Sequence, residues 1–297
     1  MHGISQRQAL RTLQISASVY RYKSVKKQDD AVVQEMLCNL SEKYPTWGFW
    51  MMYHKLRNMG RSENHKRVYR IYKASGLSKK RRSRKRAIKR IKKPLLQPLS
   101  PNQQWSMDFM RDSLFQYQPF RAFNVIDDYN REALNITIAK SITSQRVIAE
   151  LEQIIQWRGK PESIRVDNGP EFIAQALQDW CAADNRNIAL TFIQPGKPSQ
   201  NGYIERFNRT FREDVLDRWM FIEMNDAQKE SNKWIWFYNN ERPHAALNYL
   251  SPRDFLLKYG KVHRPQISAQ DFPTFQQDLD DDYNEYQELS LILNATK

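Results

Sequence analysis

Three carboxylates stand out by where they fall. Asp108 sits in the middle of WSMDFMRDS, whose alternation puts Trp105, Met107 and Phe109 on the other side of a strand. A charge in such an apolar setting is costly unless something compensates it. Asp167 ends the short run SIRVD, immediately before Asn168-Gly169, at the strand edge where α/β sheets bind their ligands. Glu205 lies in the first turn of a helix that starts after Asn201-Gly202, with Arg206, Arg209 and Arg212 close behind. Each acid alone has an ordinary explanation. Asp-Asn-Gly is good turn chemistry, an acid in a first turn complements the helix dipole, and Glu205 with Arg209 could be a plain surface ion pair. Three carboxylates converging on one edge would repel each other, and hard divalent cations with oxygen ligands relieve that. Two Mg²⁺ or Mn²⁺ ions about 4 Å apart would serve phosphodiester chemistry, one activating the attacking oxygen and one stabilising the leaving oxygen.

Sugar hydrolysis by two carboxylates is the competing chemistry. Charge separates the two readings. The 297-residue chain carries 47 Lys+Arg against 33 Asp+Glu, a net charge of +14, which suits an acidic partner such as nucleic acid or an anionic membrane. No apolar run approaches the roughly 20 residues of a spanning helix. The start, MHGISQRQALRTLQ, has no signal-peptide core, so a cytoplasmic protein without a membrane partner is expected. Two cysteines far apart rule against a disulfide scaffold, and the five histidines show no ligand spacing with them. Gly196-Lys197 lacks the rest of a phosphate-binding loop, so no ATP is expected.

The elements that would position these acids follow from periodicity. WSMDFMRDS, FRAFNVIDD and ALNITIAK read as strands, SQRVIAELEQIIQWRG as a helix ended by Gly159, and SIRVD as a further strand. Pro170 opens a second helix, IALTFIQ is a strand, QNGYIERFNRTFREDVLDRW a helix, and NDAQKESNKWIWFYNN one more. That order predicts an α/β domain over residues 101–260 with a mixed five-stranded sheet flanked by helices. Residues 1–77 precede it as a small all-helical region. Helices are expected from Asp30 to Lys43, from near Pro45 to Gly60, and from a cap at Ser62 or Asn64 to Gly76. On the last, Val68, Ile71 and Tyr72 form the apolar stripe, and Lys66, Arg67, Arg70 and Lys73 fall elsewhere. This suits a recognition helix or a solvated face alike. Between the two regions, residues 78–100 form a basic linker, with eleven Lys/Arg between Lys79 and Lys93 and no acid. A solvated linker is the plain reading, and Lys79, Lys80, Arg81, Arg82, Arg84, Lys85 and Arg86 favour an arm for tracking phosphates over it. Residues 261–297 are an acidic tail.

WSMDF, VDNGPEF and KPSQNGYIERFNRTFR resemble the DDE catalytic core of retroviral integrases and bacterial transposases, most closely the second-reading-frame (OrfB) transposase of the insertion-sequence-three family. YNNERPHAALNYLSP (238–252) resembles that family's C-terminal signature, and RVYRIYKASGL the end of its helix-turn-helix. The resemblance covers roughly residues 45–255. It implies a ribonuclease-H-like fold, a catalytic and metal-binding triad of Asp108, Asp167 and Glu205, and Mg²⁺ or Mn²⁺ as cofactor. The implied reaction cleaves element ends and joins the 3′-hydroxyl to target DNA without a covalent enzyme intermediate. Arg212 occupies the family's basic position on the Glu205 helix, and Lys197, Asn201 and Arg209 complete the DNA contacts expected there. Thirty-seven residues separate Asp167 from Glu205, slightly more than is usual, which a longer loop near Gly196–Ser199 would absorb. Asp127 and Asp128 are rivals for the first acid, though turn capping is the commoner role at a strand end. Asp112 and Glu171 read as structural. The resemblance further implies the upstream-frame protein as a partner, a multimer on DNA, and a bacterial protein associated with the nucleoid when bound. The fragmentary helical lead-in suggests the catalytic product alone. A DNA-binding regulator or relic without chemistry, or a structure-directed nuclease, would carry many of the same residues.

Overall fold

The structure, a computed structural model, describes residues 5–21, 26–79, 95, 97–194 and 198–260. The basic residues after Lys79 and the acidic tail after Gly260 lie outside them. Two short helices come first, α1 (Gln6–Thr12) and α2 (Ala17–Arg21), and neither buries a residue. Three longer helices then share a core: α3 (Lys26–Lys43), α4 (Phe49–Asn58) and α5 (His65–Ala74). The first begins at Lys26, ahead of the expected Asp30. Asn64 caps α5 by accepting from the Lys66 N–H at 2.9 Å. Gly60 and Gly76, at φ 87° and 73°, end α4 and α5 in a conformation cheap only for glycine. Val68, Ile71 and Tyr72 all turn inward.

The larger unit is built on β1 (Gln104–Ser113), β2 (Pro119–Asp127) and β3 (Ala133–Ala139), an antiparallel meander. Then come α6 (Ser144–Arg158), β4 (Ser163–Val166), α7 (Pro170–Ile173), α8 (Gln175–Ala182) and β5 (Ala189–Phe192). The sheet order is β3-β2-β1-β4-β5, with β4 parallel to β1 and β5 parallel to β4. Three further helices follow: α9 (Gly202–Phe211), α10 (Met224–Asn240) and α11 (Pro252–Tyr259). Alternation along β1 feeds two cores. Trp105 and Met107 join Val147 and Leu151 of α6 and Leu177 of α8 on one face. Met110 joins Phe207 and Phe211 of α9 and Trp234 of α10 on the other. Full burial of each such side chain contributes about 1.5–3 kcal/mol.

Two expected helices are not continuous. The one opening at Pro170 breaks at Ala174, whose ψ of 130° is extended, so α7 and α8 are separate. The helix expected from Gln200 to Trp219 ends at Phe211 and widens into a π turn over Arg212–Leu216. There the Asp217 N–H donates five residues back to the Arg212 carbonyl at 2.8 Å. Such turns are rare and recur near functional sites.

The helical unit is docked on the larger one. Tyr44 and Trp47 stack on Phe237 of α10, with ring centroids 4.8 and 6.0 Å away. Thr46 donates to Asp214 at 2.6 Å, Lys55 pairs with Glu241 at 2.9 Å, and His54 lies flat on Tyr249 at 3.8 Å. Among the described residues no helix is long and apolar enough to cross a membrane.

Candidate active site on the β1–β4 edge

Asp108 lies on the β1 face that α9 covers. Its partner across the antiparallel pair is Asn124 of β2. In the parallel register Ser106 stands beside Arg165, so Asp167, just past the end of β4, comes level with Asp108. The turn after it is closed by the Gly169 N–H donating to Asp167 Oδ1 at 2.9 Å. A Cβ on Gly169 would meet that same oxygen at 3.0 Å, so glycine is what lets the backbone approach the carboxylate. Glu205 is exposed in the first turn of α9.

The Asp108 carboxylate is held at both oxygens. Oδ1 accepts from the Phe109 N–H at 2.8 Å, and Oδ2 accepts from Asn208 Nδ2 at 2.7 Å. Asn208 in turn accepts from Asn124 Nδ2 at 2.6 Å. Burial pushes the Asp108 carboxyl up to about 6, and the negative charges of Asp167 and Glu205 add to the rise, against the pull of its two hydrogen bonds. All three acids thus act on one edge. Among the described residues no three His, Cys, Asp or Glu side chains form a group that could hold a metal ion. The donor set itself, all carboxylate oxygen with mutual repulsion to relieve, fits a hard dication.

Asn208 and Asn124 escape a reading of the sequence. Asn208 is three residues after Glu205 on the same helix face, and Asn124 is a polar residue inside the apolar strand FRAFNVIDD. Those two placements are the only local signals. The rivals for the first acid point elsewhere. Asp127, opposite Trp105, accepts from the Asn102 and Tyr129 N–H groups at 2.9 Å each and pairs with Arg158 at 3.2 Å. Asp128 pairs with Arg165 at 3.1 Å. Asp112 is engaged by Arg212 at 3.0 Å and Glu171 by Arg121.

The expected DNA contacts divide. Asn201 is buried, at 3% exposure, and its Nδ2 reaches inward to the Met107 carbonyl at 3.5 Å, tying the start of α9 to β1. Arg209 is exposed on α9. Arg212, besides its pair with Asp112, donates to the Arg111 carbonyl at 2.8 Å. On α5 Lys66 is exposed, while Arg67 and Arg70 each pair with Asp30 at 2.7 Å. Lys79 donates to the Pro45 carbonyl. Lys197, Lys80, Arg81, Arg82, Arg84, Lys85 and Arg86 lie outside the described residues.

A five-stranded mixed sheet with acids on its β1–β4 edge and a helical unit ahead of it defines a class, and comparison with known proteins agrees. The integrase core domain family matches residues 98–198 and again 186–252, and an HTH-like domain family matches residues 27–86. The insertion element IS407 uncharacterized 31.7 kDa protein of Burkholderia multivorans is 35% identical over 257 residues, 86% of this chain and 92% of that protein. The insertion element IS476 uncharacterized 39.2 kDa protein of Xanthomonas euvesicatoria is 33% identical over 257 residues, 86% of this chain and 73% of that one. Among solved structures, the HTLV-2 integrase catalytic core domain in complex with magnesium is 22% identical, with a TM-score of 0.43 over 53% of this chain and 97% of that chain. The chain belongs to the insertion-element transposase family, built on an integrase core and serving DNA transposition.

Proposed function

We propose that Asp108, Asp167 and Glu205 are the catalytic carboxylates of a DNA strand transferase, which cuts at element ends and joins the freed 3′-hydroxyl to a target phosphodiester. The observation that carries this reading is Asp108, a half-buried carboxylate fixed by Asn208 and facing two further acids on a chain of net charge +14. The three acids would hold Mg²⁺ or Mn²⁺, which when bound activates the attacking oxygen and stabilises the leaving one. The chain's own residues do the rest. Asn208 orients Asp108, leaving its remaining lone pairs toward the edge. Arg209, one turn beyond Glu205, meets backbone phosphate beside the reacting bond. As the new P–O bond forms the old one breaks, so no enzyme nucleophile is needed. Lys66, Arg67 and Arg70 of α5 take further phosphates, the two arginines exchanging Asp30 for DNA. The basic arm after Lys79, the upstream-frame protein and a multimer on DNA complete the proposed assembly.

The test uses purified chain, a labelled duplex with a pre-cut 3′-hydroxyl end and a plasmid target, with Mg²⁺, Mn²⁺ or chelator, beside Asp167→Asn. Metal-dependent joined product that disappears in the variant is expected. Binding without joining, even after the upstream-frame protein is added, would sink the reading.

A further inference from the structure

The β1–β2 hairpin and the stretch after the π turn put five large apolar side chains into water at one place. Phe115, Tyr117, Trp219, Met220 and Ile222 are 59%, 89%, 52%, 72% and 69% exposed. The two segments are joined, for the Phe115 N–H donates to the Phe221 carbonyl at 2.8 Å, and Leu114 and Phe221 are buried beneath. Single exposed apolar residues need no explanation, but a contiguous group does. The hairpin tip is also strained in favour of one of them. Its turn is closed by the Leu114 N–H on the Gln118 carbonyl and the Tyr117 N–H on the Leu114 carbonyl, both at 2.9 Å. Within it Tyr117 has φ 60°, the left-handed place that short hairpins fill with glycine. A ring nine-tenths exposed is kept there at a cost, with nothing among the described residues to repay it.

Charge narrows what covers this face. The residues flanking these segments are Arg111, Arg121, Arg212 and Arg218 against Asp112, Glu213, Asp217 and Glu223, four of each sign. On a chain of +14 this is the wrong balance for a polyanion, which gathers unopposed cations. We infer that a second copy of the chain docks here. Two molecules so strongly positive repel each other, and contact is least opposed where local charge cancels. A rim with both signs lets an arginine of one copy face an acid of the other in a two-fold contact. The size agrees as well. Three aromatic side chains of about 150–250 Å² each, half or more exposed, with Met220 and Ile222 beside them, offer on the order of 600 Å², near the roughly 800 Å² per partner of a standard interface. Trp, Tyr, Phe and Met are the residues interface cores favour. Ser113, at the foot of the hairpin, is about 17 Å along β1 from Asp108 at about 3.4 Å per residue, so a docked copy leaves the carboxylate edge open.

The test is sedimentation of the full chain over a range of concentrations, in high salt to weaken charge repulsion. Wild type is compared with Trp219→Glu/Met220→Glu and with Trp50→Glu, an exposed tryptophan on the helical unit. A concentration-dependent dimer is expected in wild type and Trp50→Glu, weakened at least ten-fold in the double variant with circular dichroism unchanged. Tyr117→Gly guards against misfolding. Relief of the left-handed strain should hold or raise its melting temperature while the dimer weakens, a combination a merely structural tyrosine would not give. A monomeric wild type, a dimer indifferent to the double variant, or equal loss in Trp50→Glu would each overturn the inference. So would an intact dimer with weakened DNA binding in the double variant, which would assign the face to nucleic acid.

Discussion

At Asp108 the deciding partner is an amide. Asn208 can only donate through Nδ2, so its carbonyl must face Asn124, and Asn124 must donate as well. That leaves Asn124 Oδ1 buried with no hydrogen-bond partner among the described residues. The cost of that orphan is offset by the single orientation it imposes on the carboxylate. Replacing Asn208 by Leu removes a hydrogen bond to a charged group, worth about 1.5–3 kcal/mol. Strand joining should therefore fall about ten- to a hundred-fold, with DNA affinity in a filter-binding assay within about two-fold of wild type. The Asn124→Leu loss should not add to it, because the two amides act in series. The acids themselves were legible, since an aspartate in the middle of an apolar strand demands a reason. The amides were not: asparagine has no local signature in a strand or a helix, and these two meet from 84 residues apart.

Among the described residues, periodicity found the five strands and the longer helices, but neither α11 nor the interruptions. The stretches around Ala174 and Arg212–Leu216 read as helical locally, and tertiary packing decides otherwise. Periodicity was equally silent on docking. Phe237 reads as one more residue of an amphipathic helix, yet it stacks against the Tyr44–Trp47 pair and joins the core of the helical unit. Phe237→Ala should cost about 3 kcal/mol, the low end for an aromatic removed from a core. That cost should fall on the docking. Denaturant unfolding followed by fluorescence and by circular dichroism should then separate into two transitions where wild type shows one. Limited proteolysis should release residues 26–79 as a stable fragment.

For the molecule as a whole, net charge was the most legible feature and the most decisive, since it turned a set of acids toward phosphodiester chemistry. Its response to acid was not legible, because it depends on burial. His244 is partly buried, with Nε2 shut off from water, and desolvation, with Arg242 and Arg131 nearby, lowers its pKa to about 3. Folded protein therefore refuses a proton that the unfolded chain accepts near 6.5. Its contribution to stability is full above pH 6.5 and is lost as pH falls toward 3, by up to about 1.4 kcal/mol per pH unit. Asp108 and Asp128, both raised to about 6 by burial, act in the opposite sense, gaining stability as pH falls from 6 toward 4. The two trends partly cancel in wild type. Urea midpoints of His244→Phe and wild type from pH 7 to 4.5 isolate the histidine: the variant should gain on wild type as pH drops, and parallel curves would refute the assignment.

The docking of the two units also has a bearing on how the protein is made. The helical unit is translated before the surface that receives it, from Asp214 to Tyr249. Asp108 likewise waits 100 residues for Asn208. A chain interrupted after β5, before α9 and α10, would carry α5 with neither its seat nor Glu205. Under the proposed function, such fragments would occupy the element's ends without cutting them and compete with the intact protein, so that incomplete synthesis alone would restrain transposition.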